Sequence, residues 1–163
     1  MLDRRSDHQR IAELQDLHEG RLGVELLGDE AIRALLASRP RIAMIGASNR
    51  PYKPSYGVFA SLRRAGYDVV PVNPAERLVH GLPCFGSLAE AVEATGPIDL
   101  VDVFRRPEAC PAHAREAVAV GARCLWLQLG IVSREAGQIA AAAGLSVVMD
   151  RCTIVEHDRL IRT

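Results

Sequence analysis

From Arg41 onward, short apolar runs alternate with longer stretches whose apolar residues recur at helical spacing. The runs are Ile42 to Ile45, Asp68 to Pro74, Asp99 to Phe104, Cys124 to Gly130 and Ser146 to Met149. Short runs bounded by glycine, proline or polar residues read as strands buried on both faces. Between them, Ser55 is placed to cap a helix through Val58, Leu62 and Ala65 that Gly66 stops. Ser87 caps one carrying Leu88, Ala91 and Val92. Pro107 suits the first turn of a helix through Ala109, Ala112, Ala117 and Val118, ending at Gly121. Ser133 starts a last one, Glu135 to Ala143, stopped by Gly144. Ahead of the first strand, Asp29 can cap a helix with Ile32, Leu35 and Leu36 that ends before Pro40. The pattern is weaker at both ends. Ile11, Leu14, Leu17 and Leu22 suggest an amphipathic helix, interrupted at Gly20 and Gly23. The tail from Asp150 shows only the apolar pair Ile154 and Val155, and no element is predicted there. Leu78 to Phe85 reads as a loop with one short extended piece around Pro83 and Cys84.

Strand-helix alternation implies an α/β, Rossmann-like, three-layer fold. Its sheet is mostly parallel, with five or six strands and right-handed crossovers. Ile42 to Ile45 is expected to be central, and Pro71 puts its strand near an edge. One domain, residues 29–163, is expected after a helical extension, residues 1–28. Ligands of such sheets bind outside the carboxyl ends of the strands, where strand order reverses. The residues just past those ends are Gly46, Ala47 and Ser48, then Asn73 and Pro74, then Phe104, Arg105 and Arg106, then Gln128 and Gly130, and finally Arg151 and Cys152.

The segment Arg41 to Gly57 concentrates the chemistry. A strand, a glycine turn at Gly46, a polar loop from Ser48 to Pro54 and a helix start form the geometry that offers free N–H groups to a phosphate. Gly46 is read as letting the backbone approach a ligand with no Cβ in the way. The dinucleotide pattern Gly-x-Gly-x-x-Gly is absent, so an ordinary strand-to-helix turn stays open as the alternative. Arg50 and Lys53 lie in the loop, and Lys53 is the only lysine of the chain.

The net charge is zero, which argues against nucleic acid or an anionic membrane as a partner through bulk electrostatics. No apolar run reaches the roughly 18 residues of a membrane span. The N-terminus has no apolar core of a signal peptide. Cys84, Cys110, Cys124 and Cys152 form no Cys-x-x-Cys pair and have no histidine at zinc spacing, so no metal site is expected. Reduced thiols and a cytoplasmic location are the expectation.

Six blocks in order carry a resemblance. They are Ile45 to Ser48, Pro54 to Gly57, Gly66 to Pro74, Asp99 to Arg105, Leu125 to Gly130 and Val148 to Cys152. From about Asp29 to Leu160 the chain resembles the small stand-alone CoA-binding domain proteins, the YccU-like group. These are related in fold to the CoA-binding domain of the succinyl-CoA synthetase α subunit. The resemblance implies coenzyme A or an acyl-CoA as ligand and no agreed reaction. It implies pyrophosphate at Gly46, Ala47 and Ser48 and at the helix start with Ser55 and Tyr56. Asn73 and Pro74 would border the adenosine. Phe104, Arg105 and Arg106 would hold the region between adenine and pantetheine. The segment Gln128 to Ile131, with Gly130 in it, would line the pantetheine end. The synthetase subunit has a second domain with a phosphorylated histidine; none of His8, His18, His80, His113 and His157 sits in its Gly-His-Ala-Gly context. A complete ligase is therefore not expected, and a binding or regulatory module is favoured over an enzyme.

Single residues keep two readings. Arg50, Lys53, Arg105 and Arg106 can meet phosphates or be solvated. Trp126 reads as core. Asp102, in an apolar strand, is a structural hydrogen-bonding group or a site acid; Gln128 has the same ambiguity. Ser48 donates most simply to phosphate and has no visible histidine partner as a nucleophile. Cys152 is a packed small residue or a thiol near the CoA thiol, activated if Arg151 turns toward it. The rival functions are an NADP-dependent oxidoreductase on the same fold and a protein interaction domain with an empty crevice, with a homodimer or an unknown protein partner left open. An NAD site would want Asp or Glu where Asn73 stands.

Overall fold

The computed structural model describes residues 4–161. Five parallel strands form one sheet: β1 (Ile42–Ile45), β2 (Val69–Val72), β5 (Leu100–Val103), β6 (Cys124–Leu127) and β7 (Ser146–Val148). A two-residue hairpin, β3 (Leu78–Val79) with β4 (Leu82–Pro83), lies outside it. The order across the sheet is β2-β1-β5-β6-β7. The chain steps outward from β1 to β2, then returns to the other side of β1 and continues in one direction. The reversal therefore lies between β1 and β5, and the crevice of a doubly wound sheet opens there. β1 is not central as expected: it lies one strand in from the edge, and β5 is the middle strand.

Helices cover both faces, as the strand alternation requires. Ala43, Ile45, Val101, Val103, Leu125 and Leu127 face α4 (Leu88–Thr95), α5 (Cys110–Ala119) and α6 (Arg134–Ala142). Alanines on that side (Ala91, Ala114, Ala117, Ala136 and Ala140) let the helices sit close. Ile42, Met44, Leu100, Cys124 and Trp126 face the other side, under α2 (Asp29–Ala37), α3 (Pro54–Arg64) and α7 (Thr153–Leu160). Ser87 and Ser133 cap α4 and α6 by accepting from the Glu90 and Ala136 N–H groups.

Two expected caps are displaced. Lys53 is the N-cap of α3, Pro54 occupies its first turn, and Ser55 lies inside the helix. Proline fits there because the first N–H of a helix has no intrahelical partner. Gly28 precedes α2, and Asp29 is its first residue, turned instead to Arg159 at 2.7 Å.

Pro71 belongs to the edge strand, where its missing N–H is tolerated. The segment just after the hairpin partly covers that edge: Phe85 N–H donates to the Pro71 carbonyl at 3.1 Å, and Asn73 N–H donates to the Phe85 carbonyl at 2.8 Å. At the opposite edge Leu27 N–H donates to the Val147 carbonyl at 3.0 Å. The first helix, α1 (Arg4–His18), packs Leu14 and Leu17 against the core, but Ile11 is 64% exposed and off that face. Arg134 holds α1 through Asp16 at 2.5 Å. The tail, for which no element is expected from the sequence, is the helix α7.

Candidate functional site

A cavity of about 720 Å³ opens over the carboxyl ends of β1, β5 and β6. It is in the size range of small-ligand sites. Its first wall is the turn after β1. Gly46 has φ +85°, and a Cβ there would strike the Phe104 carbonyl oxygen at the end of β5. The crowding expected against a ligand is thus against the neighbouring strand end, and glycine lets the two strand ends close up. The N–H groups of Ala47 and Ser48 have no hydrogen-bond partner among the described residues. Ser48 Oγ accepts from Arg50 N–H at 3.0 Å, which leaves its O–H free to donate. Asn73 Nδ2 donates to the Ala47 carbonyl at 2.8 Å, while its Oδ1 accepts from Ala75 N–H at 2.9 Å. The Asn73 amide thereby fixes the loop after β1 to the loop after β2. Asn49 ties the same loop to the hairpin through the Leu78 carbonyl and the His80 N–H.

Four cations line the cavity: Arg50, Lys53, Arg105 and Arg106. Among the described residues none of the four has a carboxylate within ion-pair distance. By contrast Arg10, Arg41, Arg134, Arg151 and Arg159 are all paired. The lining residues include one carboxylate, Glu76. The open first turn of α3 adds its partial positive charge to the same end.

The far end is built differently. Asp102 of β5 is fully buried and accepts from Gln128 Nε2 at 2.7 Å and from Thr153 Oγ1 at 3.0 Å. Gln128 Nε2 also reaches Thr153 Oγ1 at 3.0 Å. Only neutral donors face the carboxyl, so burial pushes it up to about 7. Asp102 stands as an acceptor behind the wall and does not line the cavity, whereas Gln128, held by it, does. Gly130 N–H donates to Asp150 Oδ1 at 2.7 Å, tying the loops after β6 and β7.

Of the expected residues, Gly46, Ser48, Arg50, Lys53, Ser55, Asn73, Phe104, Arg105, Arg106, Gln128, Ile131 and Cys152 line the cavity. Four do not. Ala47 is buried in the core beneath the turn. The Tyr56 ring packs on His80, with centroids 4.2 Å apart. Pro74 and Gly130 lie beside the lining, in the loops that carry it. Leu129, inside the segment Gln128 to Ile131 expected at the pantetheine end, lines it too, and so do Pro54, Val58, Ala75 and Glu76, which strand-end reasoning does not pick out.

Cys152 is half-buried at the N-cap of α7. Burial pushes its thiol up, only partly offset by the Val155 and Ile154 N–H groups. Arg151 gives no help, because its guanidinium is turned to Glu156 at 3.4 Å and Asp29 at 3.6 Å. Trp126 is fully buried, and its Nε1 donates to the Arg151 carbonyl at 2.7 Å. Among the described residues no cluster of three His, Cys, Asp or Glu side chains could hold a metal ion, and no helix is long and apolar enough to cross a membrane.

The family model described as a CoA binding domain matches residues 40–158. The chain belongs to the CoA-binding domain family. The CoA-binding domain assignment supports a CoA-related binding module. The chain is 40% identical over 126 residues to the uncharacterised protein YneT of Bacillus subtilis, covering 77% of this chain and 91% of that protein. A hypothetical protein from Pyrococcus horikoshii OT3 shares its fold with TM-score 0.78 and 37% identity, over 83% of this chain and 93% of that one. A dinucleotide-forming acetyl-coenzyme A synthetase of Ca. Korarchaeum cryptofilum resembles it in fold alone, at TM-score 0.57 and 19% identity. That match covers 68% of this chain and 26% of the synthetase.

Proposed function

We propose that the crevice binds coenzyme A or an acyl-CoA and that the chain acts as a stand-alone binding or regulatory module. The observation that carries this is the cluster of Arg50, Lys53, Arg105 and Arg106. Among the described residues they lack carboxylate partners, in a molecule of zero net charge, and they surround a turn with two free N–H groups. Unpaired cations around a cavity suit a ligand with several negative charges, and CoA carries them on its pyrophosphate and its 3′-phosphate. In this reading the pyrophosphate meets the Ala47 and Ser48 N–H groups and the Ser48 hydroxyl. The arginines after β5 take phosphate charge, and the pantetheine runs along the ends of β5 and β6 toward Gln128. Gln128 Nε2 is committed to Asp102 and Thr153, so its Oε1 is the atom available to accept from a pantetheine amide.

Calorimetry with CoA and with NADP tests the reading. CoA is expected to bind, and NADP to bind much more weakly. Arg106→Ala is expected to weaken CoA by about ten- to a hundredfold, the range for a lost charge-assisted hydrogen bond. Equal or tighter NADP binding would move the assignment to an oxidoreductase. No binding of either would leave a protein interaction domain.

A further inference from the structure

A second groove, of about 420 Å³, lies beside the CoA crevice and shares Leu129 and Cys152 with it. Its apolar walls come from two parts of the chain that are distant in sequence. Leu17, Leu26 and Leu27 come from the N-terminal segment, and Val148, Met149 and Val155 from β7 and α7. The rim is polar, with His18 on Asp150 at 3.1 Å and Arg151 on Glu156 at 3.4 Å. Leu129 and Val155 are 69% and 54% exposed. The N-terminal wall lies outside the family match, which begins at residue 40. It is nevertheless fixed to the domain by the Leu27–Val147 backbone bond at 3.0 Å and by Arg134 on Asp16.

Resting on the CoA reading, we propose that this groove takes the acyl group of an acyl-CoA, so that the preferred ligand is a thioester with an apolar chain rather than free CoA. The position of the groove carries the argument. The charged end of the crevice is at β1, and parallel strands are spaced about 4.8 Å apart, so β7 lies about 14 Å away across the sheet. Pantetheine spans a distance of that order and delivers its sulfur near Leu129 and Cys152, where the crevice and the groove meet. An acyl chain leaving that sulfur has one apolar continuation, between the N-terminal leucines and Val155. A volume of 420 Å³ suits a small group of ligand size. The polar rim lets the chain lie along the surface and leave at the open side.

The test is calorimetry with CoA, acetyl-CoA, butyryl-CoA and octanoyl-CoA on the full chain and on Val155→Trp. Each methylene buried adds up to about fourfold in affinity. Octanoyl-CoA is therefore expected to bind at least tenfold tighter than CoA. Val155→Trp fills the groove from an exposed position, so it is expected to leave CoA affinity unchanged and to abolish the gain from chain length. CoA binding retained by the variant also reports that it is folded. Equal affinity across the series while CoA binds would overturn the groove assignment and leave the crevice reading intact. A chain-length gain that survives Val155→Trp would likewise overturn it. Binding of none of the four would overturn both. A dimer in sedimentation that Val155→Trp dissociates, with no chain-length gain in the native chain, would assign the groove to self-association instead.

Discussion

Asp102→Asn is expected to make the protein more stable above neutral pH and to flatten its stability between about pH 4 and 7. The carboxyl is fully buried and meets only the neutral donors Gln128 and Thr153. Its ordinary value of 3.8 rises to about 7 in the fold because burial disfavours the charged form. Below pH 4 it is protonated in both states and has no effect. Between 3.8 and about 7 the unfolded chain has released this proton while the native chain retains it. The native state then binds more protons, so stability falls as pH rises, by about 1.4 kcal/mol per pH unit. Summed over that window the loss is about 4 kcal/mol, complete above pH 7. Asparagine has the shape of the protonated acid. Its Oδ1 can still accept from Gln128, and its Nδ2 can donate to Thr153 Oγ1 once that hydroxyl turns. The assay is urea unfolding of both proteins from pH 4 to 8, comparing midpoints and slopes. The difference between them cancels every other titrating group. It is expected to move in favour of the Asp102→Asn variant by a few kcal/mol across the window. A difference that stays constant with pH would show that Asp102 keeps the same charge throughout, and the account of the buried carboxyl would be wrong.

Gly46→Ala is expected to cost at least about 2 kcal/mol of stability, since alanine at positive φ is strained and its Cβ would strike the Phe104 carbonyl oxygen. An unchanged denaturation midpoint would mean that the turn relaxes freely. For the same reason a bulky residue at Gly46 that lost CoA binding would report on the strand end as well as on the ligand. Alkylation at pH 7 with peptide mapping is expected to label Cys152 more slowly than a free thiol, because burial raises it. Cys110 and Cys124, pushed up to about 12, are expected to stay unlabelled while the chain is folded. Labelling of Cys152 at the rate of an exposed thiol would sink this reading and reopen an activating role for Arg151.

What is legible in the sequence is what local pattern decides. The strands are mostly apolar, glycines stop β1 and several helices, and Pro71 marks its strand as an edge without knowledge of the pairing. The strand ends then locate most of the crevice, because in a parallel sheet the carboxyl ends share one side. What stays hidden depends on partners far away in the chain. The buried face of α7 is Thr153, Glu156, His157 and Leu160, mostly polar, so it shows no apolar stripe. Those residues are tolerated inside because each polar one is met. Thr153 bonds Asp102, Glu156 meets Arg151 and Arg159, and His157 Nδ1 lies 2.7 Å from Tyr67 Oη. The same cause defeats the expectation for Arg151, whose direction is decided by Asp29 and Glu156 rather than by its neighbour Cys152. Gly46 stands out in the sequence for its turn, but the obstacle that requires glycine is not visible there, since Phe104 reaches it only once β5 pairs with β1.

The placement of α7 also links stability to the site. Its first residue, Thr153, is bonded to both Asp102 and Gln128, so the carboxyl under the sheet, the amide in the crevice wall and the start of the last helix form one hydrogen-bonded unit. Ionising Asp102 turns it into an acceptor only, which favours the Gln128 Nε2 and Thr153 O–H donations already present. Protonating it requires one of these partners to accept instead. The hydroxyl of Thr153 can do so by rotation, whereas Gln128 would have to turn its Oε1 inward and away from the crevice. The unit therefore keeps the crevice atom of Gln128 in place in either charge state as long as Thr153 supplies the adaptable group. Thr153→Val removes that group. In that variant a protonated Asp102 has only Gln128 left to donate to, and loss of the Thr153 donor moves its titration above the native value of about 7, so CoA affinity is expected to weaken as pH falls through that higher range. In the native chain Gln128 keeps its place, and affinity should change less over the same range. Calorimetry from pH 6 to pH 9 on both proteins separates the cases. Parallel pH dependence in the two would show that Gln128 is held by something other than this pair of side chains.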